Sequence, residues 1–144
     1  MNAFPEIWNV LHDGSIVAVS GRIPGEIRLS ISIDYLRERF ADPGKLIFVT
    51  LANCTHISFT PFGAANPILD TTEIVSAEPE ILSAKFGNGR SVICCVSGIL
   101  EVEAKDGDLA LDSGHSITLQ TLIDVSDAYW TEWAEAAKKA RGES

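Results

Sequence analysis

The residues that decide the fold run from 81 to 119 and read ILSAKFGNGRSVICCVSGILEVEAKDGDLALDSGHSITL. Short segments of alternating apolar and polar residues are separated by turn residues, which is typical of consecutive antiparallel hairpins. The first hairpin is predicted to turn at Asn88-Gly89 in a type I′ conformation. Its predicted partners are Phe86 with Ser91, Ala84 with Ile93, Leu82 with Cys95 and, on the other face, Ser83 with Cys94. This register makes Cys95 a core residue.

The second hairpin is predicted to turn at Asp106-Gly107. The predicted partners are Ala104 with Leu109, Val102 with Leu111, Glu103 with Ala110 and Glu101 with Asp112. One face is then apolar, and the other carries Glu101, Glu103, Asp108 and Asp112. Like charges directly opposite each other destabilise a hairpin. We interpret this acidic face as a partner-binding surface for a basic protein, the alternative being a solvated face that keeps the protein soluble.

The third hairpin is predicted to have a three-residue loop at Ser113-Gly114-His115, which pairs Leu111 with Ile117 and Leu109 with Leu119. Upstream strands are predicted at 15–19, 26–33, 46–51 and 56–62, the first two joined by a Pro24-Gly25-Glu26 loop. That loop pairs Ile23 with Ile27, Val19 with Ile31 and Val17 with Ile33. Short helices are predicted at 5–11 and, capped by Asp34, at 34–40.

The last predicted element is an amphipathic helix that begins near Asp124 or Ser126 and ends at about Arg141. One stripe holds Trp130, Trp133, Ala134 and Ala137. Two tryptophans among alanines indicate docking onto the sheet through a few large anchors, the alternative being a partner-binding helix. We therefore predict a single α+β domain over residues 1–144. It is mostly an antiparallel β meander, a bent sheet or partly closed barrel, with short N-terminal and internal helices and the C-terminal helix on the sheet.

Composition restricts the partners. The 144 residues carry a net charge of −9, and residues 66–127 hold eleven acids against three bases. Nucleic acid and anionic membrane surfaces should be repelled, whereas a basic protein is complementary. No apolar run approaches the ~20 residues that cross a bilayer, and the N-terminus lacks signal-peptide features. We expect a cytoplasmic protein with free thiols, and a homo-oligomer remains open.

Few residues suggest catalysis. Cys54 and His56 are two apart, so on one strand they would share a face as a weak candidate for a nucleophilic pair. Adjacent Cys94 and Cys95 face opposite ways and are predicted to pack. The segment Asp112-Ser113-Gly114-His115 holds the residue types of a hydrolytic triad but is better explained as a turn. Four arginines could bind a small anion or pair with nearby acids: Arg22, Arg28, Arg37 and Arg39. No cofactor and no metal site is predicted.

The sequence thus predicts a non-catalytic, acidic protein-interaction module. Its size and charge are comparable with those of small acidic immunity proteins that neutralise basic nuclease toxins, an analogy that rests on those two properties alone. Two alternatives remain open. One is a small-molecule binder with a cavity between the sheet and the C-terminal helix, lined by Trp130 and Trp133. The other is an enzyme that uses Cys54 and His56.

Overall fold

The computed structural model describes residues 4–87 and 89–142, in which four helices and nine strands are found. The helices are α1 (Phe4–Val10), α2 (Asp34–Arg37), α3 (Thr71–Ser76) and α4 (Leu119–Ala140). The strands are β1 (Ser15–Gly21), β2 (Gly25–Ser32), β3 (Leu46–Cys54), β4 (His56–Pro61), β5 (Ile81–Gly87), β6 (Arg90–Cys95), β7 (Gly98–Glu103), β8 (Asp106–Leu111) and β9 (Ser116–Ile117).

The strands form two antiparallel sheets. Sheet A has the order β1-β2-β3-β8-β9, and sheet B has the order β4-β7-β6-β5. Alternate residues of both sheets are buried in one hydrophobic cluster, to which α1 adds Ile7 and Trp8 and the residue after it adds Leu11. The predicted α+β class, antiparallel sheets and C-terminal helix on the sheet are confirmed, and the described strands do not form a closed barrel.

Two chain segments pass from one sheet to the other side by side. In the first, β3 continues into β4, and in the second, β7 continues into β8. The Lys105 amide donates to the Ala52 carbonyl at 3.0 Å, and the Thr55 amide donates to the Glu103 carbonyl at 2.9 Å. The predicted Asp106-Gly107 turn is therefore wrong. Both residues begin β8, because pairing with β3 buries Leu109 and Leu111 in the core.

The β5–β6 hairpin follows the predicted register over most of its length. Phe86 faces Ser91, Ala84 faces Ile93 and Ser83 faces Cys94. The predicted Leu82–Cys95 pair is wrong, because a bulge at Leu82 puts Ile81 opposite Cys95. Asn88 of the predicted turn lies outside the described residues, whereas Gly89 has the positive φ, 78°, that such a turn requires.

Two other predicted registers are wrong by two residues. In the β1–β2 pair Val19 faces Leu29, and a bulge at Val17 then puts Ile16 opposite Ile31. In the β8–β9 pair Leu109 faces Ile117, because the Leu111 amide already bonds to the His115 carbonyl at 2.8 Å. The predicted partners Ile23 with Ile27, Val17 with Ile33, Leu111 with Ile117 and Leu109 with Leu119 are not formed.

The helix ends also differ from prediction. The first turn of α2 is capped by Ile33 without a side-chain hydrogen bond, so Asp34 is not its cap. In a stretch without a predicted element, Asp70 caps α3 by accepting from the Thr72 and Glu73 amides at 2.8 and 3.2 Å. Thr118 caps α4 five or more residues before the predicted start. None of the described helices combines the length and apolarity needed to cross a membrane.

Candidate functional site

The C-terminal half of α4 is largely uncovered. The buried residues of this helix are Leu122 and Ser126, both in its N-terminal half. The two predicted sheet anchors are instead at the surface, where Trp130 is 36% and Trp133 is 58% exposed. The helix is held by its first half and by contacts with α1 and α2. The prediction that both tryptophans dock onto the sheet as anchors is therefore wrong, and a ligand cavity between the sheet and this helix stays a prediction.

Five rings form a connected cluster on this side of the protein. Trp130 stacks on His12 with centroids 5.6 Å apart, and Trp133 contacts Trp130 edge-on at 6.0 Å. Tyr35 lies 4.6 Å from Tyr129 and 5.7 Å from Trp130. We call this cluster the aromatic face; its residues are His12, Tyr35, Tyr129, Trp130 and Trp133. Offset and edge-on ring pairs of this kind fix each other's orientation.

Hydrogen bonds and charges hold the aromatic face in place. The Tyr35 hydroxyl donates to the His12 carbonyl at 2.9 Å, and burial, together with the negative charge of Asp13, raises the pKa of Tyr35 to about 12. Arg39 lies over the Tyr129 ring at 5.3 Å and pairs with Glu132. The phenol of Tyr35 therefore stays neutral, and Arg39 has its charge neutralised.

Sequence reasoning did not connect His12 and Tyr35 with this cluster. His12 lies in the turn after α1 and Tyr35 lies in α2, about a hundred residues before the tryptophans. No local pattern connects them, because their proximity depends on the packing of α1 and α2 against α4. The available signal was the density of large rings on α4 itself.

The predicted acidic face does not exist as a single surface. Glu101 faces Val92 and Ser58 in sheet B, not Asp112. Glu103, also in sheet B, accepts a hydrogen bond from Thr55 and pairs with Arg90 at 3.5 Å, which together hold its pKa below the usual range. Asp108 and Asp112 belong to the other sheet and its following loop. A role for each acid in partner binding stays a prediction, without the shared face that motivated it.

Cys54 and His56 do not form a thiol–imidazole pair. The fully buried Cys54 thiol donates to the His56 carbonyl at 3.5 Å, and burial raises its pKa. The His56 ring bonds instead to the Ser58 hydroxyl at 2.9 Å, and Ser58 is 1% exposed. The thiol and the imidazole therefore bond to different groups and not to each other.

The loop after β8 is a structural junction. Ser113 and His115 both contact Asp42 Oδ2, at 2.8 and 3.3 Å, and the hydrogen bond from Ser113 is the main reason that the pKa of Asp42 is lowered. The serine therefore bonds to the carboxylate and not to the imidazole, which is not the order of a hydrolytic triad. The predicted interpretation of this segment as a turn agrees with this geometry.

Three of the four arginines named above lie in separate contacts. Arg37 is 2% exposed and pairs with Asp112, and Arg39 pairs with Glu132. Arg28 lies over the Phe48 ring at 4.8 Å, on the outer face of sheet A. Arg28 and Phe48 line a groove of about 700 Å³ whose wall also includes Asp108.

Within residues 4–87 and 89–142, no three histidine, cysteine, aspartate or glutamate side chains converge in a way that would hold a metal ion. No protein-family model, no curated protein and no solved structure matches this chain. The function is accordingly inferred from the residues of this chain.

Proposed function

We propose that this protein is a non-catalytic binding domain for a basic protein, and that the partner docks on the aromatic face. The observation that carries the proposal is the exposure of Trp130 and Trp133, 36% and 58%, within an ordered cluster of rings. Large aromatic residues are enriched in the energetic centres of protein interfaces. The immunity-like role predicted from size and charge is one specific form of this proposal.

The exposed tryptophan surface is large enough to matter energetically. A tryptophan buries up to about 250 Å² and apolar burial contributes about 25 cal/mol per Å², so covering the exposed 58% of Trp133 contributes at most about 3.6 kcal/mol. That magnitude is typical of an interface hot spot. The rings are already fixed by one another and by the bond from Tyr35 to His12, so little conformational entropy is lost on binding.

Charge indicates the class of partner. The chain has a net charge of −9, and acids adjoin the cluster in sequence at Asp13 and Asp34. Arg39, a cation of the cluster, is already paired with Glu132. Lysine or arginine side chains of a partner would make cation–π contacts with the exposed rings and ion pairs with the adjoining carboxylates.

The experiment is affinity capture from the native host with three baits: the wild type, Trp133→Ala and Phe62→Ala. Phe62 is the matched control, because it is 61% exposed and belongs to none of the described ring contacts of the aromatic face. We expect the wild type and Phe62→Ala to capture the same basic protein, identified by mass spectrometry. Trp133→Ala should lose it.

Two results would refute the proposal. One is capture that survives Trp133→Ala at the wild-type level. The other is a captured partner that is acidic, since the charge argument would then be wrong. Far-ultraviolet circular dichroism of each bait verifies that the fold is intact.

The groove on sheet A favours a second candidate function, the binding of a small zwitterion that carries an aromatic group. Arg28 and Asp108 both lie in the groove, and neither is in an ion pair within the part of the chain that the structure describes. A carboxylate would pair with Arg28 and an ammonium group with Asp108, while a ring would lie near Phe48.

The probe for this candidate is L-phenylalanine, compared with 3-phenylpropionate, which lacks the ammonium group. We expect L-phenylalanine to shift the NMR signals of Thr50 and Ala110 in the groove, and Arg28→Gln to abolish the shifts. Equal binding of both compounds, or no shift with either, would remove this candidate while leaving the protein partner untouched.

A further inference from the structure

The outer face of sheet B has an apolar centre that no described element covers. Residues of β6 and β7 alternate between the core and this face: Ile93, Cys95, Leu100 and Val102 are fully buried in the core. Their half-buried neighbours therefore point outwards, and these are Val92, Cys94 and Ile99. Val92, Cys94 and Ile99 line a cavity of about 360 Å³ together with residues of β5.

Further apolar side chains extend this centre at one end of the sheet. Leu82, in the bulge of β5, is 44% exposed, and Val96, directly after β6, is 55% exposed. The Val96 amide bonds to the Glu80 carbonyl at 3.0 Å, which keeps that end of the two strands together. Exposed apolar side chains grouped at one part of a surface are a feature of interaction sites.

Two opposite charges flank the centre. Lys85 faces Val92 on one side, and Glu101 faces Val92 on the other, so the order across the three strands is cation, apolar residue, anion. Neither Lys85 nor Glu101 is in an ion pair among the described residues, whereas the next row of the same face has its pair, Arg90 with Glu103.

This face is locally neutral in an acidic chain. Lys85 and Arg90 balance Glu101 and Glu103, although the whole chain has a net charge of −9. Two copies of such a chain repel each other least where each presents a neutral surface. The neutral surface is also the one with the apolar centre.

We propose that two copies of this chain pack against each other through the outer face of sheet B, with Lys85 of each copy opposite Glu101 of the other. A two-fold contact needs a self-complementary surface, because residue i meets residue j while j meets i. The row Lys85, Val92 and Glu101 satisfies this condition when the two-fold axis lies between the sheets B of the two copies, over Val92 and parallel to the strands. This face is separate from the aromatic face on α4, so the dimer proposal and the proposed partner-binding function can be refuted independently.

The test is a charge exchange followed by sedimentation velocity over a range of concentrations. Lys85→Glu and Glu101→Lys each convert both of the symmetry-related Lys85–Glu101 pairs into pairs of like charge. Each variant should therefore weaken dimerisation by about tenfold or more. The double variant Lys85→Glu/Glu101→Lys restores opposite charges and should return the dissociation constant to within about threefold of the wild type. Val92→Glu should abolish the dimer.

Lys45→Glu and Glu38→Lys are the controls, because both residues are exposed and lie outside sheet B. They should leave the dimer unchanged, and thermal melting of all variants checks folding. A wild-type protein that stays monomeric up to about 1 mM, a concentration at which even weak specific pairs form, overturns the proposal. It is equally overturned if the single reversals have no effect, or if the double variant is as impaired as the single ones.

Discussion

Arg37 and Asp112 are 75 residues apart in the chain and form the most fully bonded ion pair of the described residues. Arg37 Nη2 lies 2.9 Å from Asp112 Oδ1, and the remaining guanidinium donors reach the carbonyls of Leu46, Asp42 and Pro43. Asp112 Oδ2 accepts from the Lys45 and Leu46 amides at 2.8 and 3.1 Å. The network fastens the loop after α2 to the end of β8.

Removal of the Asp112 charge should strongly destabilise the fold. Asp112→Asn leaves a guanidinium that is 2% exposed without its anion, and loss of one partner of a buried pair costs about 3 kcal/mol. Urea denaturation measures this change in the free energy of unfolding. Asp108→Asn, in the preceding strand β8, is the control and should stay within about 0.5 kcal/mol of the wild type. A loss below about 1 kcal/mol for Asp112→Asn would contradict this role.

The same network predicts an acid-sensitive stability. Partial burial by itself would raise the pKa of Asp112, but the Lys45 amide and the Arg37 guanidinium outweigh it and hold the pKa below the ordinary 3.8. Because the folded-state pKa is the lower one, the stabilisation is present above about pH 4 and is lost as the pH falls through the folded-state value. Unfolding experiments at about pH 7 and about pH 3 should show the difference between wild type and Asp112→Asn shrinking in acid. A pH-independent difference would exclude this explanation.

The thiols should differ sharply in reactivity. Cys54 and Cys95 are fully buried, and burial raises the pKa of Cys95 to about 12 and also raises that of Cys54. Cys94 is half-buried on the outer face of sheet B. Dilute native protein treated with iodoacetamide should therefore be alkylated first at Cys94, as read by peptide mass spectrometry, with the other two modified only after unfolding. Rapid native alkylation of Cys54 would restore it as a candidate nucleophile.

Local patterns predicted the local parts of the fold. The pairs Ala84–Ile93 and Phe86–Ser91 follow from an alternating pattern around a two-residue turn, and both form. The same reasoning failed at Asp106-Gly107, because this dipeptide is as typical of a turn as Asn88-Gly89. The burial of Leu109 and Leu111 depends on pairing with β3, which is distant in the chain and so is not visible in the local pattern. Bulges at Val17 and Leu82 shift pairing by one residue and leave no clear mark in the sequence.

The candidate site was only half visible for a related reason. The spacing of Trp130 and Trp133 identifies one side of α4, but an apolar stripe has the same spacing whether the fold or a partner covers it. The structure resolves this ambiguity because the buried positions of α4 are Leu122, upstream of the predicted helix start, and Ser126, at that start. His12 and Tyr35 joined the cluster through tertiary packing alone.

The most direct test of the proposed function is the affinity of the Trp133→Ala variant for the basic protein that the wild type captures, measured by isothermal titration calorimetry. We predict a loss of about 2–3 kcal/mol, about 30- to 150-fold in dissociation constant, with the free energy of unfolding changed by less than about 0.5 kcal/mol because the side chain is mostly exposed. Phe62→Ala should bind as the wild type does. An unchanged affinity for Trp133→Ala, or an equal loss for Phe62→Ala, would contradict the assignment of the aromatic face as the binding surface.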